Sequence, residues 1–517
     1  MTNREKNTEK RPNIVLFVSD HFRREALGHT GNEVKATPFL DTYAGTEAVS
    51  FTHAFCQNPV CVPSRCSFLS GRYPHVEGFR TMHHLQSARD QNILRELKKA
   101  GYYVYFGGKN DVFKKEIPVN EYCDYRSDAF HEYNCIRDGV PLEAEFHSVL
   151  GKFTKEEILA AEKEKENSRY EKNKRNYYAL YQGLMETDNP LAVGYTGLED
   201  AQIEDALRFI KEYKGDRPLC IYLALMLPHP HYAATEADYR AIDADKIEIP
   251  VRLDEKQRKN KASILEGIRK NHRLYEWKDE ELKEFKHMYY AMVHHIDHNF
   301  SRMITCLKEK GIYDDTDVLL FSDHGDYAGE YEIAEINQNT FEDVLTNIPL
   351  LIKPHKGIAC TPRISEALIE LTDVAITIAE LTGIQLPESH FGISLLPLLE
   401  KEKEIRDAVF CEGGRLENES HCTDGGHKPE ALYWARTSVQ ESIPEHTKAV
   451  MIRDKEFKYI YRLYESDEFY DLKNDPKEMY NEIKNVHFEK KIAIMKERLL
   501  RFLIETADCV PKHRDER

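Results

Sequence analysis

Short, wholly apolar runs punctuate the chain: Ile14 to Val18, Tyr102 to Phe106, Leu219 to Met226, Val318 to Phe321 and Pro349 to Ile352. A strand with one wet face alternates apolar and polar residues. A run without alternation marks a strand covered on both faces, as in a parallel sheet clothed by helices. Helical spacing fills the intervals. From about Asp90 to Ala100, Ile93, Leu94 and Leu97 share one face, and Gly101 supplies the stop. From about Asp279 to Lys310, Leu282, Phe285, Met288, Met292, Ile296, Met303 and Leu307 recur at helical spacing over a longer stretch. Strands alternating with helices predict an α/β fold whose mostly parallel central sheet is sandwiched by helices.

Two regions break the pattern. Residues from about 140 to 198 are rich in Glu, Lys, Asn and Tyr and poor in buried-strand signals, so they read as an insertion over one edge of the sheet. Within them the Tyr- and Lys-rich stretch from Tyr170 to Tyr181 has the composition to meet a sugar or aryl group, although such stretches are more often partly buried helix. From about residue 400 the strands become short, as at Ala449 to Arg453 and Phe457 to Tyr461, and a helix follows from about Glu489 to Thr506. At 517 residues the chain exceeds one ordinary core. It divides into a catalytic α/β domain over 1–400 and a small α+β C-terminal subdomain over 401–517.

Composition narrows the partners. With a formal net charge of -17, the chain offers no broad basic surface for nucleic acid. An anionic ligand must therefore meet a locally basic pocket, so isolated Arg and Lys near chemical motifs matter. The N-terminus lacks an apolar leader segment, and no run of about 18 apolar residues indicates a membrane span. Eleven cysteines, an odd number spread thinly, suit reduced thiols in the cytoplasm better than a disulfide framework.

Three apolar strands end in residues that carry chemistry: Asp20-His21, Asp323-His324-Gly325-Asp326, and Pro228-His229-Pro230-His231. Ligands of open parallel sheets sit beyond the carboxyl ends of the strands, so these segments are expected to meet in one site. The most specific segment is Cys61-Val62-Pro63-Ser64-Arg65-Cys66-Ser67-Phe68-Leu69-Ser70-Gly71-Arg72. It fills every fixed position of the pattern C-x-P-S-R followed after three residues by Leu, Ser or Thr, Gly and Arg. The opening Arg11 to Leu16, the block Ser322 to Asp326, and Phe469-Tyr470-Asp471-Leu472 with Asn474-Asp475-Pro476 are of the same kind. On these segments the sequence resembles the formylglycine-dependent sulfatases of the alkaline phosphatase superfamily, and the resemblance covers most of the chain.

The resemblance implies an alkaline-phosphatase-like fold and a defined chemistry. A sulfatase-maturing enzyme would convert Cys61 to formylglycine, whose hydrated aldehyde attacks sulfur and later expels sulfate through its second hydroxyl, splitting one hard step into two. One hard divalent cation, Ca²⁺ or else Mg²⁺ or Mn²⁺, is expected on Asp20, His21, Asp323 and His324. Most members have a second Asp where His21 stands. Arg65 would neutralise charge beside the nucleophile, Lys109 matches the sulfate-binding lysine, and His229 matches a histidine against the sulfate that serves as general acid. Two substrate-side positions depart from the usual pattern: Asp111 replaces a frequent His, and Asn337 stands where a second lysine is usual, with no Lys between Asp323 and Lys353. Either His229 alone or a cation from the insertion then serves the leaving group.

The expected substrate is a small sulfated sugar, aryl or steroid ester, selected by loops over 140–198 and around Arg415 to His427. A phosphonate monoester or phosphodiester hydrolase of the same superfamily, and a binding protein that has lost catalysis, are the competing functions. Two further patterns are set aside. His294 and His298, four apart on a helix, read as solvated or core histidines, because no Glu follows His294 to make the Glu-x-x-His frame of a zinc protease. Cys66 and Arg72 have phosphatase-loop spacing but lack its flanking residues.

Overall fold

In the computed structural model, the strand Asn13–Ser19 (β1) sends Val15 and Phe17 into one hydrophobic core and Ile14, Leu16 and Val18 into another. That division explains its unbroken apolar run: both faces of the sheet are covered. The structure describes residues 11–173, 180–429, 431 and 433–510. Residues 174–179, half of the Tyr170 to Tyr181 stretch, and residues 1–10 lie outside them.

The remaining strands of the main sheet are β2 (Val49–Phe55), β3 (Tyr103–Gly108), β4 (Tyr125–Ser127) and β5 (Phe146–His147). A short pair, β6 (Tyr181–Leu184) and β8 (Tyr232–Ala234), stands apart, and β7 (Leu219–Ala224), β9 (Thr316–Ser322), β10 (Asn347–Lys353) and β11 (Arg363–Glu370) complete the sheet. The nine strands run in the order β11-β2-β10-β9-β1-β7-β3-β4-β5. Every neighbouring pair is parallel except those of β10, which is antiparallel to both β9 and β2. The apolar run Pro349 to Ile352 is thus a doubly covered strand, but its direction opposes the expected one. It follows β9 through a connection within the same edge, with no helical crossover to return the chain.

The long helix Asp279–Lys310 lays Leu282, Phe285, Met288, Met292, Ile296, Met303 and Leu307 on one face of the sheet. The opposite face is covered by helices Cys61–Ser70, Ile93–Lys99 and Thr372–Thr382 through Phe68, Leu69, Leu94, Leu97, Val374 and Ile378. Ile93–Lys99 begins at Asn92, whose side chain accepts the Leu94 N–H, and the chain turns at Gly101 with φ of 97°. Four strands beyond residue 400 form a separate antiparallel sheet, β12 (Val409–Gly413), β13 (Ala449–Arg453), β14 (Phe457–Arg462) and β15 (Glu468–Asp471). Helix Glu489–Glu505 closes it through Ile492, Met495, Leu499 and Phe502. Residues 140–198 hold edge strand β5, helix Lys155–Asn173 and β6. Among the described residues no helix is long and apolar enough to cross a membrane.

Candidate active site

Five strands of common direction deliver the candidate residues to one edge. β1 leads to Asp20 and His21, β2 to Cys61, β3 to Lys109 and Asp111, β7 to His229, and β9 to Asp323 and His324. Register fixes the closest pair: Ser19 lies opposite Ser322, so the carboxylates that follow emerge side by side, and the Asp323 N–H donates to Ser19 O at 3.3 Å. At the end of β3, Gly108 takes a φ of 91°, and a Cβ there would lie 2.1 Å from Ala224 O. Only glycine lets the turn pass so close to β7 and carry Lys109 inward.

Cys61 opens the helix Cys61–Ser70, all of whose residues are buried. The motif's other positions fasten that helix to the sheet edge. Ser64 Oγ donates to Asp323 O at 2.6 Å, and Arg65 Nε donates to Asp323 Oδ2 at 2.7 Å. Gly71 ends the helix with φ of 72°, where a Cβ would lie 2.9 Å from Ile376. Arg72 pairs with Glu77 and Glu388 and anchors the exit. The helix start presents Cys61 at the positive end of the peptide dipole.

Around Cys61 Sγ stand His324 Nε2 at 3.1 Å, Asp20 Oδ1 at 3.5 Å and Lys109 Nζ at 3.5 Å. Lys109 also pairs with Asp20 and, at 2.9 Å, with Asp111. His324 Nδ1 lies 2.9 Å from Gly325 O. A carbonyl only accepts, so Nδ1 carries the proton and Nε2 offers a lone pair. His21 is oriented in the same sense: Nδ1 lies 2.6 Å from Asp326 Oδ2, and Nε2 is buried without a hydrogen-bond partner, 3.8 Å from Asp20 Oδ1. Tyr232 donates to Asp326 at 2.7 Å. One potential donor atom from each of Asp20, His21, Cys61 and His324 lies within 4.8 Å of all the others, and Asp323 stands beside them, Oδ1 3.7 Å from His324 Nε2.

The electrostatics separate the two carboxyls. Burial opposes ionisation of Asp20, but Lys109, His21 and Arg65 hold its pKa well below the usual range. Burial dominates at Asp323 and raises its pKa against the pull of Arg65. Burial also disfavours charge on Lys109, yet Asp111 and Asp20 keep it firmly protonated. Asp111 thus acts on the lysine. For His229, burial, His21 and Lys109 lower the pKa well below the usual value.

Nine of the ten candidate residues lie in or border this cluster. His229 joins it through its ring, 4.6 Å from that of His21. Asn337 is the exception among the contacts: its Nδ2 turns to Asn339 Oδ1 at 2.9 Å, and its buried Oδ1 has no hydrogen-bond partner. Of the two helical histidines set aside above, His294 pairs with Asp238 at 2.9 Å and His298 is exposed.

Four participants escaped sequence reasoning. Asp326 was visible within the Asp-His-Gly-Asp block, but its grip on His21 needs the fold. Tyr195 and Tyr433 place their rings 5.7 and 6.3 Å from that of His229. Arg436, buried beside Glu335 at 3.3 Å, acts electrostatically on both Cys61 and His21. Nothing local in the sequence marks these last three.

A mostly parallel sheet thus brings a cysteine-led helix, a set of potential metal ligands and buried Lys and Arg to one edge. The sulfatase family profile matches residues 12–384, and the chain belongs to that family of enzymes. An arylsulfatase of Clostridium perfringens is 23% identical over 514 residues, covering 95% of this chain and 94% of its own. An N-acetylglucosamine-6-O-sulfatase of Bacteroides thetaiotaomicron is 22% identical, covering 98% and 88%. The phosphonate monoester hydrolase of Agrobacterium radiobacter shares the fold, with a TM-score of 0.69 at 19% identity over 98% of this chain and 100% of that one.

Proposed function

We propose that Cys61, after conversion to formylglycine by a sulfatase-maturing enzyme, is the nucleophile that cleaves a small sulfate monoester, with one divalent cation beside it. The observation that carries this reading is the convergence of His324, Asp20 and Lys109 on Cys61 Sγ, which marks the site of the reacting oxygen. The donor set fits a cation. His21 Nε2 is a buried lone pair with no hydrogen bond, and Asp326 fixes its orientation as a carboxylate behind a metal-bound histidine does. Asp20, His21 and His324 would hold the ion, with Asp323 adjacent. Two imidazoles suit Mn²⁺ or Zn²⁺ better than the all-oxygen preference of Ca²⁺. When bound, the ion would supply Lewis-acid stabilisation of charge near the nucleophile.

The chain's own groups divide the remaining work. Lys109 and Arg65 bring fixed positive charge to the sulfate oxygens. The pocket is buried, so that charge is strongly felt. His229 is neutral in the free site and must take up a proton as the anionic ester arrives before it can protonate the leaving oxygen. The rings of Tyr195 and Tyr433 beside His229 suit a sugar or aryl group, in keeping with the sugar and aryl sulfatases among its relatives.

The test is co-production with a maturing enzyme, followed by the mass of the Cys61 peptide and a substrate panel. A loss of about 18 Da, thiol to aldehyde, with release of sulfate from aryl or amino-sugar sulfates, is expected. An intact cysteine in fully active protein would overturn the nucleophile. One observation favours a second reading: a residue other than Asp follows Asp20, and Asp323-His324 follows later, as in phosphonate monoester hydrolases. Faster turnover of an aryl phosphonate monoester than of every sulfate would move the reading there.

A further inference from the structure

As the ester S–O bond breaks, its electron pair moves to the bridging oxygen, where a proton or a cation must meet it. The lysine usual for this task is Asn337 here, and its amide nitrogen faces Asn339. His229 is not ready to donate in the free site. Its Nδ1 lies 2.6 Å from Pro230 O and carries the ring proton, which leaves Nε2 bare.

Arg436 approaches the same place from another part of the chain. Its Nε donates to Glu335 Oε2 at 3.3 Å, two residues before Asn337. Its Nη1 lies 3.6 Å from Asp424 Oδ2, which accepts from Gln338 Nε2 at 2.9 Å, one residue after Asn337. The guanidinium is therefore tied to both flanks of the lysine-free position. Nη1 is nevertheless buried without a hydrogen-bond partner. Such a donor in the interior is costly unless something comes to accept from it. The turn that carries it faces the reacting groups: Tyr433, three residues earlier, has its ring 6.3 Å from that of His229.

Building on the sulfatase reading above, we infer that Arg436 replaces the missing lysine and stabilises the bridging oxygen of the departing group through Nη1–H, whose 3.6 Å approach to Asp424 is too long for a hydrogen bond. Arg436 keeps its proton throughout. The proton that completes the alcohol or phenol comes from His229, which takes it up from solvent as the ester binds, and the proton lost by the attacking hydroxyl returns to solvent, so charge balances with water as the only other reactant.

The test uses the full, matured enzyme and a series of aryl sulfates graded by the acidity of the released phenol. Arg436→Gln is expected to lose about 10²–10³-fold in kcat/KM for the least acidic phenols, with the loss shrinking toward nitrophenols, as for a single oxyanion donor. Arg436→Lys is expected to keep a slope near that of the wild type. If Arg436→Gln strands Glu335 and does not fold, Arg436→Gln with Glu335→Gln removes the buried pair together and reads out the same slope. An even loss across the series, or none, overturns the inference and leaves the sulfatase reading standing. A matured wild type that releases sulfate from no ester overturns both.

Discussion

His21 holds a backbone conformation that few side chains accept, with φ of 68°, and the surrounding residues enforce it. Tyr289 OH donates to His21 O at 2.8 Å and accepts the Arg23 N–H at 2.9 Å, so one buried hydroxyl clamps both sides of the turn. Asp326 then fixes the ring. This much support for one imidazole makes sense if its bare Nε2 has a ligand to meet. Calorimetric titration of the metal-stripped protein is expected to show at least about tenfold tighter binding of Mn²⁺ than of Ca²⁺, the preference of imidazole nitrogen. In His21→Asp the added hard oxygen should narrow that gap. A wild type that favours Ca²⁺ would remove His21 from the ligand set. Asp326→Asn should weaken Mn²⁺ binding by about 10–100-fold while leaving the fold intact, which circular dichroism checks. Unchanged affinity would make Asp326 a purely structural partner of Tyr232.

Secondary elements divide into those that announce themselves and those that depend on distant contacts. β1, β7 and β9 were legible because burial on both faces leaves no alternation, and their ends were legible because Asp and His follow abruptly. The long helix was legible from its repeat alone. The direction of β10 was not, since an apolar run reads the same either way and only pairing with β9 and β2 orients it. β5, two residues long, gives no periodic signal. Arg436 was invisible for a related reason: it reaches the site from the one-turn helix Trp434–Thr437, whose placement depends on the whole fold. The long helix also carries a pH-sensitive joint. His295 is buried between Asp200 at 2.8 Å and Asp238 at 3.0 Å; burial disfavours its charge, but the two carboxylates raise its pKa to about 10. A raised folded pKa gives stability that is fully present below the unfolded value of about 6.5 and is lost as pH rises through about 10. Denaturant unfolding of the wild type should therefore lose stability from pH 7 to pH 10 by more than His295→Gln does. Parallel curves for the two proteins would show that His295 is neutral when folded.

Across the whole molecule, the antiparallel sheet beyond residue 400 grips the segment that leaves the candidate site. Residues 338–343 follow directly on Asn337, and β12 to β14 hold them through backbone and side chain. Asn339 Nδ2 donates to Thr447 O at 3.0 Å, and Arg462 Nη1 donates to Asn339 O at 2.8 Å. Lys458, fully buried, donates to Phe341 O at 2.7 Å and pairs with Glu478 at 2.6 Å and Asp343 at 2.7 Å. Cutting one partner out of such a buried cluster costs about 3–5 kcal/mol, because it strands the others, so Lys458→Met should be strongly destabilised in denaturant unfolding. A gentler change separates stability from coupling. A Cβ on Gly413 would fall 1.6 Å from Gln338 O and 3.4 Å from Asn339 Cα, so Gly413→Ala must push the 338–339 backbone away from the small sheet. Gln338 holds Asp424, and Asp424 holds Arg436, so the displacement runs directly to the cation assigned to the leaving group. Gly413→Ala is expected to lower kcat/KM at least about tenfold for esters of weakly acidic phenols at a temperature where circular dichroism shows it folded, since misplacing a stabilising group by an ångström is enough to do so. Full activity in a folded Gly413→Ala would mean that the small sheet braces the main domain without positioning anything in the site.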